Sequence, residues 1–214
     1  MTQEPESSRI GSRAVRAARR DEAALLGEVL ADAFAEDPVF AWLIPPQLRA
    51  REKRMRTFFT SMSRGYLRRG KPCYLAGDGS AAALWAEPGG WTMPLSQIIL
   101  EAVPSGLAFR SRLLRALRTQ LQIERLHAGQ PGPHWYLGYL GTRSDRQGEG
   151  LGTQMLQEVL TRLDADGMPA YLESSNERNL PLYERNGFRV VGELRALGHG
   201  PTIWRMWRDP QLRS

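Results

Sequence analysis

Residues 146–153 read Arg-Gln-Gly-Glu-Gly-Leu-Gly-Thr and join a predicted strand to a predicted helix. Three glycines within five positions let successive backbone N–H groups turn toward one anion at the first turn of a helix. We therefore expect a phosphorylated ligand at this loop. A glycine-rich connector without a ligand is the alternative interpretation.

Two common phosphate-binding patterns fit this loop poorly. A P-loop requires a lysine after its last glycine, and none follows here. A Rossmann fingerprint requires Gly-x-Gly-x-x-Gly, but the third glycine comes one residue early and Thr153 stands in its place. Glu173 ends the next predicted strand, where a ribose-binding carboxylate would be expected. The motif nevertheless begins well past mid-chain, which leaves too little sequence for a dinucleotide fold.

A third pattern, Gln147-x-x-Gly150-x-Gly152 after a strand, resembles the pyrophosphate-binding loop of the GNAT superfamily of acyl-CoA-dependent N-acyltransferases. A second segment, Asn176–Phe188, resembles the signature of that family after the next strand. Within the superfamily the chain is similar to the group of puromycin N-acetyltransferase and its bacterial relatives. The similar segments are His134–Phe188, Ala33–Pro38, Ala83–Trp85 and Pro201–Trp204, with little similarity over Pro94–Ala128.

The predicted fold is mixed α/β, because helical patterns cluster in the first part of the chain while strands outnumber long helices in the second half. The resemblance implies a GNAT-type central sheet that is twisted, mixed and mostly antiparallel. It would have about six to seven strands with helices on both faces. We predict a disordered tail over residues 1–9 and a single acyltransferase domain over 10–214. Residues 94–128 are predicted to form a helical insertion before the cofactor-binding strand, with leucines along one face and arginines along another.

The composition fits one globular domain, with 214 residues of which 42% are hydrophobic and 24% charged. Folding at this length removes roughly 70% of the unfolded chain's surface from water, so a stable core needs no disulfide or structural metal. The single Cys73 excludes an internal disulfide and a cysteine-rich zinc site, and it favours the cytoplasm. We expect no metal, and without an apolar run of roughly 18 residues we expect no membrane span.

The charge balance is basic, with 29 Lys and Arg against 23 Asp and Glu. Lysine occurs only at Lys53 and Lys71, so the excess is almost entirely arginine. We interpret this excess as a solvated surface that favours phosphate-bearing ligands, and we expect no nucleic-acid partner. A non-catalytic acyl-CoA-binding module with a basic, nucleic-acid-contacting surface is one alternative function. Acetylation of a protein N-terminus or lysine is another.

The resemblance implies acetyl-CoA (coenzyme A) as the cofactor. Its pantetheine arm would lie along the strand that ends at Leu140, Gly141 and Thr142, where Gly141 would tolerate a bulge. Asn176 and Asn179 would bond the arm or cap a helix. The residues expected to hold the pyrophosphate are Gln147, Gly148, Glu149, Gly150, Leu151, Gly152 and Thr153.

Tyr183 is the candidate general acid. A phenol that titrates near 10 can protonate a thiolate whose conjugate acid titrates near 8.5, although a tyrosine in a short helix can also be a core residue. Glu173 is the candidate general base, and it too has a structural alternative as a solvated strand-end charge. Glu87 and Asp37 are rival bases. His134 begins its strand too far upstream to serve, and His127 and His199 are predicted to lie on the surface.

The acceptor is predicted to be a small-molecule amine attached to an aromatic or apolar body. Aminonucleosides are the first substrates that the resemblance implies, and antibiotic resistance is one of the roles left open. The chain is expected to be a monomer or a homodimer. The aromatic residues that suggest this acceptor, or that belong to the core, are Phe34, Phe40, Trp42, Phe58, Phe59, Trp85 and Trp91.

Overall fold

The computed structural model describes residues 14–91, 106 and 108–211. The predicted tail and the first part of the predicted insertion, residues 94–105, lie outside this description. Among the described residues, no helix is both long and apolar enough to span a bilayer.

In the described residues, seven strands form one sheet in the order β1-β2-β3-β4-β5-β7-β6. Among these seven, β4 and β5 pair in parallel and every other neighbouring pair is antiparallel. The mixed, mostly antiparallel sheet predicted from the sequence is therefore confirmed. The strands are β1 Val15–Ala17, β2 Cys73–Ala76, β3 Ala81–Ala86, β4 Trp135–Thr142, β5 Ala170–Ser174, β6 Arg189–Arg195 and β7 Thr202–Arg208.

Helices cover both faces of the sheet, as predicted. One core packs α1 and α3 against residues such as Leu75 and Leu84, and the other packs α5 against Trp85 and Leu172. Asp37 begins α2 by accepting hydrogen bonds from the Val39 and Phe40 amides. The helices are α1 Ala23–Ala33, α2 Pro38–Leu43, α3 Arg51–Arg68, α4 Leu113–Ala128, α5 Leu151–Ala165 and α6 Leu180–Arg185.

The α4 helix does not bury the leucine face that its pattern suggests. Leu114, Leu117 and Leu121 are 68%, 45% and 52% exposed. The buried positions of this helix are instead Ala116, Thr119 and His127. The face of α4 that packs on the protein is therefore the one with Ala116, Thr119 and His127, and it differs from the leucine face of the sequence pattern.

The predicted bulge at Gly141 is wrong, because Gly141 pairs in register with Ala82. A Cβ at Gly141 would lie 2.6 Å from the Cβ of Ala33, so this glycine lets α1 approach the strand closely. The irregularity lies instead at Gly138. There the register passes from Leu84–Tyr139 to Trp85–Leu137 and leaves Gly138 as the extra residue.

Candidate functional site

The two parallel strands β4 and β5 separate after a short paired segment. Their pairing covers Trp135–Leu137 of β4 and Ala170–Leu172 of β5 and stops there. Beyond it, residues 139–142 of β4 pair with β3 and, within the described chain, with no strand on the other side. Alternate backbone groups on the β5 side of Leu140, Gly141 and Thr142 are therefore available to a peptide-like ligand.

The glycine-rich loop lies at the end of this opening and leads into α5. Gly148 and Gly150 have φ values of +82° and +79°. A Cβ on either would meet nothing within 4 Å, so the space in front of the loop is open. Gly150 precedes Leu151, the first residue of α5, and offers no capping side chain to the first N–H groups of the helix. This arrangement fits a diphosphate.

Side chains of the loop fix its shape. Arg146 donates to Glu149 at 3.1 Å and reaches Asp78, at the turn between β2 and β3, at 3.4 Å. Gln147 donates to the Thr142 carbonyl at 3.4 Å. Because these side chains bond one another, the backbone of Gly148 and Gly150 is the part of the loop that faces open space.

Tyr183 lies on α6, buried at the edge of the α5-side core. Its ring is 6.0 Å from that of Phe188, and its hydroxyl forms no hydrogen bond with the described part of the chain. Burial, with the nearby charge of Asp37, raises the pKa of Tyr183 above its ordinary value, so the phenol stays protonated. Asn176 caps the turn before α6 by accepting from the Arg178 amide at 3.1 Å. Asn179 is exposed and makes no capping bond.

Glu173 lies on the opposite face of β5 from Leu172, toward α3 and α4, because side chains alternate along a strand. Neither carboxylate oxygen makes a hydrogen bond of ordinary geometry, although both are buried. Burial raises the pKa of Glu173 to about 7, against smaller lowering effects from the neighbouring Tyr136 and Tyr171 hydroxyls and from Arg205. A buried, unpartnered carboxylate with this pKa is suited to accept a proton.

The two rival bases are placed less favourably. Asp37 uses its carboxylate to cap α2 and to accept from the Ser175 hydroxyl. Glu87 is exposed in the turn after β3. Of the three candidates, Glu173 is therefore the one with buried and unengaged oxygens.

A polar row crosses the sheet at the level of Glu173. Glu173 pairs with Arg205 of β7, which pairs with Gly192 of β6. On the other side, Gly138 follows the last β4 residue that pairs with β5. A Cβ at Gly138 would lie 2.5 Å from the Tyr66 hydroxyl, and a Cβ at Gly192 would lie 2.1 Å from an Arg205 guanidinium nitrogen. The two glycines thus make room for a phenol and a guanidinium on either side of Glu173.

The prediction that His127 lies on the surface is wrong, because it is only 2% exposed. Its Nε2 is 2.9 Å from that of His134, whose Nδ1 donates to the Gly132 carbonyl, so His127 donates to His134. Burial lowers the pKa of His127 to about 3. Its ring contacts Tyr136 and Tyr171, at 4.4 and 4.9 Å between ring centres. The histidine pair therefore supports the two tyrosines beside Glu173, whereas His199 is exposed, as predicted.

The predicted acceptor aromatics separate into different environments. Phe34, Phe40, Phe58 and Phe59 contact one another on the α1 and α3 side. Trp85 belongs to the opposite core. The remaining two pack on histidines: Trp42 against His199 and Trp91 against His127.

Comparisons with known proteins agree with this geometry. Residues 116–188 match the model of the acetyltransferase (GNAT) family. Over 168 residues the chain is 29% identical to an uncharacterized N-acetyltransferase of Schizosaccharomyces pombe, covering 74% of this chain and 67% of that protein. Over 65 residues it is 39% identical to an L-methionine sulfoximine/L-methionine sulfone acetyltransferase of Pseudomonas aeruginosa, covering 29% of this chain and 38% of that enzyme.

A solved structure extends the similarity to nearly the whole chain. It is a Corynebacterium glutamicum protein described as histone acetyltransferase HPA2 and related acetyltransferase, with a TM-score of 0.66 and 25% identity. The superposition covers 95% of this chain and 99% of that one. The family match runs from α4 through the glycine-rich loop to residue 188, just after α6. Residues 116–188 therefore match the GNAT acetyltransferase family, within a fold that the Corynebacterium structure shares over nearly the whole chain.

Proposed function

We propose that this protein is an N-acetyltransferase that moves an acetyl group from acetyl-CoA to a primary amine of a small molecule. The observation that carries the proposal is the separation of β4 from β5, between an open glycine cradle and a buried, unpartnered Glu173. A ligand with a diphosphate at one end and peptide-like amides along its length matches both features.

The donor would be held mainly by backbone groups. The opened edge at Leu140, Gly141 and Thr142 would bond its pantetheine amides. The residues from Gln147 to Thr153, with the first turn of α5, would bind its pyrophosphate. Asn179, exposed at the start of α6, has a side chain free to bond the arm, whereas Asn176 is engaged as a cap. When bound, the donor supplies an acyl thioester.

Glu173 and Tyr183 would move the protons. An ammonium is no nucleophile, so Glu173 would take its proton before the new C–N bond forms and the C–S bond breaks. Tyr183 would then give its phenolic proton to the sulfur as the C–S bond breaks, and the acylated nitrogen would lose its second proton to water, from which the phenolate recovers one. The two groups lie on opposite faces of the sheet at the opening, which suits separate roles as base and acid.

The acceptor is proposed to be a small molecule that joins its amine to an apolar body. The phenylalanine cluster on the α1 and α3 side supports an apolar neighbour. The Pseudomonas relative is named for small sulfur-containing amino-acid derivatives. Aminonucleosides such as puromycin remain candidate acceptors.

The test is release of free thiol from acetyl-CoA by the purified chain with a panel of amines. The panel contains puromycin, aminoglycosides, polyamines, amino acids and short peptides, and acetyl-CoA binding is measured separately by calorimetry. Thiol release with a small amine supports the proposal. Thiol release with peptides alone would indicate that the acceptor is a protein. Tight acetyl-CoA binding without release from any amine would instead favour a binding module.

A further inference from the structure

Arg69, the first residue after α3, turns its charged head inward. All three guanidinium nitrogens are buried and have no hydrogen-bond partner among the residues that the structure describes. The guanidinium carbon lies 5.7 Å from the centre of the Tyr66 ring. Its neighbour Arg68 is exposed instead. Burying a guanidinium without a counter-charge costs roughly several kcal/mol of folding free energy. The inward orientation of Arg69 therefore indicates that an anion binds there.

A second cation strengthens the positive charge at this place. The Lys71 amine lies 4.6 Å from the centre of the same Tyr66 ring. Burial and the charge of Arg69 lower the pKa of Lys71 to about 8. In the described ranges no carboxylate forms an ion pair with either side chain, so both favour an anion from outside the chain.

The hydroxyl of Tyr66 points toward the Glu173 carboxylate. Its hydroxyl lies against Gly138, which is level with Glu173 on the neighbouring strand. The charges of Arg69 and Glu173 act in opposite directions on the pKa of the Tyr66 phenol. Tyr66 thus has the Arg69 guanidinium over its ring and lies within electrostatic range of the Glu173 carboxylate.

We propose that the amine acceptor is an amino acid, whose carboxylate binds Arg69 and whose ammonium is held at Glu173, with Tyr66 beside both groups. This inference rests on the proposed function and names its substrate class. A guanidinium binds a carboxylate through two parallel hydrogen bonds, which would satisfy nitrogens that lack partners here. The ammonium would supply a charged donor to Glu173, whose oxygens have the Tyr136 and Tyr171 hydroxyls near them but form no hydrogen bond of ordinary geometry in the described chain. One zwitterion therefore neutralises both buried charges.

The test compares acceptors that differ only in the carboxylate, such as phenylalanine with phenethylamine and methionine sulfone with its decarboxylated amine. We expect wild-type kcat/KM to be higher by about tenfold or more for the carboxylated member. Arg69→Gln should reduce this ratio about tenfold, whereas Arg69→Lys should retain part of it. The matched control is Arg68→Gln, the exposed neighbour, which should leave the ratio unchanged.

A binding measurement separates this inference from the proposed function. Amino-acid binding is followed by thermal shift without acetyl-CoA. Apo Arg69→Gln should melt no lower than wild type, because it removes an unpaired buried charge, and it should lose the stabilisation by amino acids. If no amine is acetylated but amino acids still stabilise the chain through Arg69, the proposed activity fails and the site stands. A preference for decarboxylated amines, or a ratio unchanged in Arg69→Gln, would overturn the inference.

Discussion

Glu173 and Arg205 are direct cross-strand partners in the sheet, yet their side chains do not form an ion pair within the described chain. The Arg205 guanidinium lies over Gly192 on the far side, and its Nε has no hydrogen-bond partner. Arg205 therefore attracts the carboxylate without bonding it. A carboxylate that forms an ion pair with an arginine is a weak base, because the ion pair lowers its pKa. Glu173 forms no such pair in the described chain, and burial raises its pKa to about 7.

The first prediction concerns the pH dependence of the reaction. Because Glu173 must lose its proton before it can act as a base, kcat/KM should rise with pH to a plateau, with a midpoint near its pKa of about 7. Glu173→Gln should remove this dependence and lower kcat/KM by about a hundredfold. The measurement is a pH profile of thiol release. Glu193→Gln, at an exposed position of β6, is the control, and an unchanged profile in Glu173→Gln would assign the base elsewhere.

A second prediction follows from the unbonded Arg205. Its positive charge lowers the pKa of Glu173, so Arg205→Gln should move the midpoint of the pH profile upward by about one unit. Arg205→Lys keeps the charge and should move it less. A merely structural role for Arg205 would lower activity without shifting the midpoint.

The third prediction concerns stability. The carboxyl of Glu173 has a pKa near 4.5 when exposed and about 7 in the fold, so the folded state holds its proton more tightly. Stability therefore falls as pH rises through this window, by about 3 kcal/mol once both states are ionised. Glu173→Gln should raise the free energy of unfolding by up to that amount at about pH 8, with the gain disappearing below about pH 5. Urea unfolding at the two pH values measures it.

The sequence predicts those parts of the fold that depend on local chemistry. The glycines of residues 148–152 specify the loop, and the distribution of helix and strand patterns specifies a mixed sheet with helices on both faces. The bulge at Gly138 and the burial of His127 were missed, because each depends on a partner distant in the chain. Strand register brings Gly192 under Arg205, and the α4 helix brings His127 onto Tyr136. A motif identifies Glu173 and Tyr183 as candidates, but only packing reveals that the oxygens of Glu173 are unpartnered.

The fourth prediction tests the acid. Tyr183→Phe should lower turnover by about tenfold or more, because the departing sulfur loses its proton donor, while acetyl-CoA affinity changes little. Since the Tyr183 hydroxyl makes no hydrogen bond in the described chain, its removal should also leave stability nearly unchanged. Turnover is measured with a saturating amine, and affinity by calorimetry. Turnover equal to that of wild type would exclude Tyr183 as the acid.

The final prediction compares the two ends of α5. Gly150 and Gly167 both have positive φ, at +79° and +65°, and a Cβ on either meets nothing within 4 Å. Leucine at either position should therefore cost a similar strain of about 1–2 kcal/mol. Only at Gly150 does the new side chain enter the space proposed for the pyrophosphate, so Gly150→Leu should weaken acetyl-CoA binding by about tenfold or more, and Gly167→Leu should not. Calorimetry measures the acetyl-CoA affinity of each variant, and unfolding curves measure the strain. Together they separate obstruction of the loop from loss of stability. Equal loss of affinity in both variants would mean that the loop does not hold the donor.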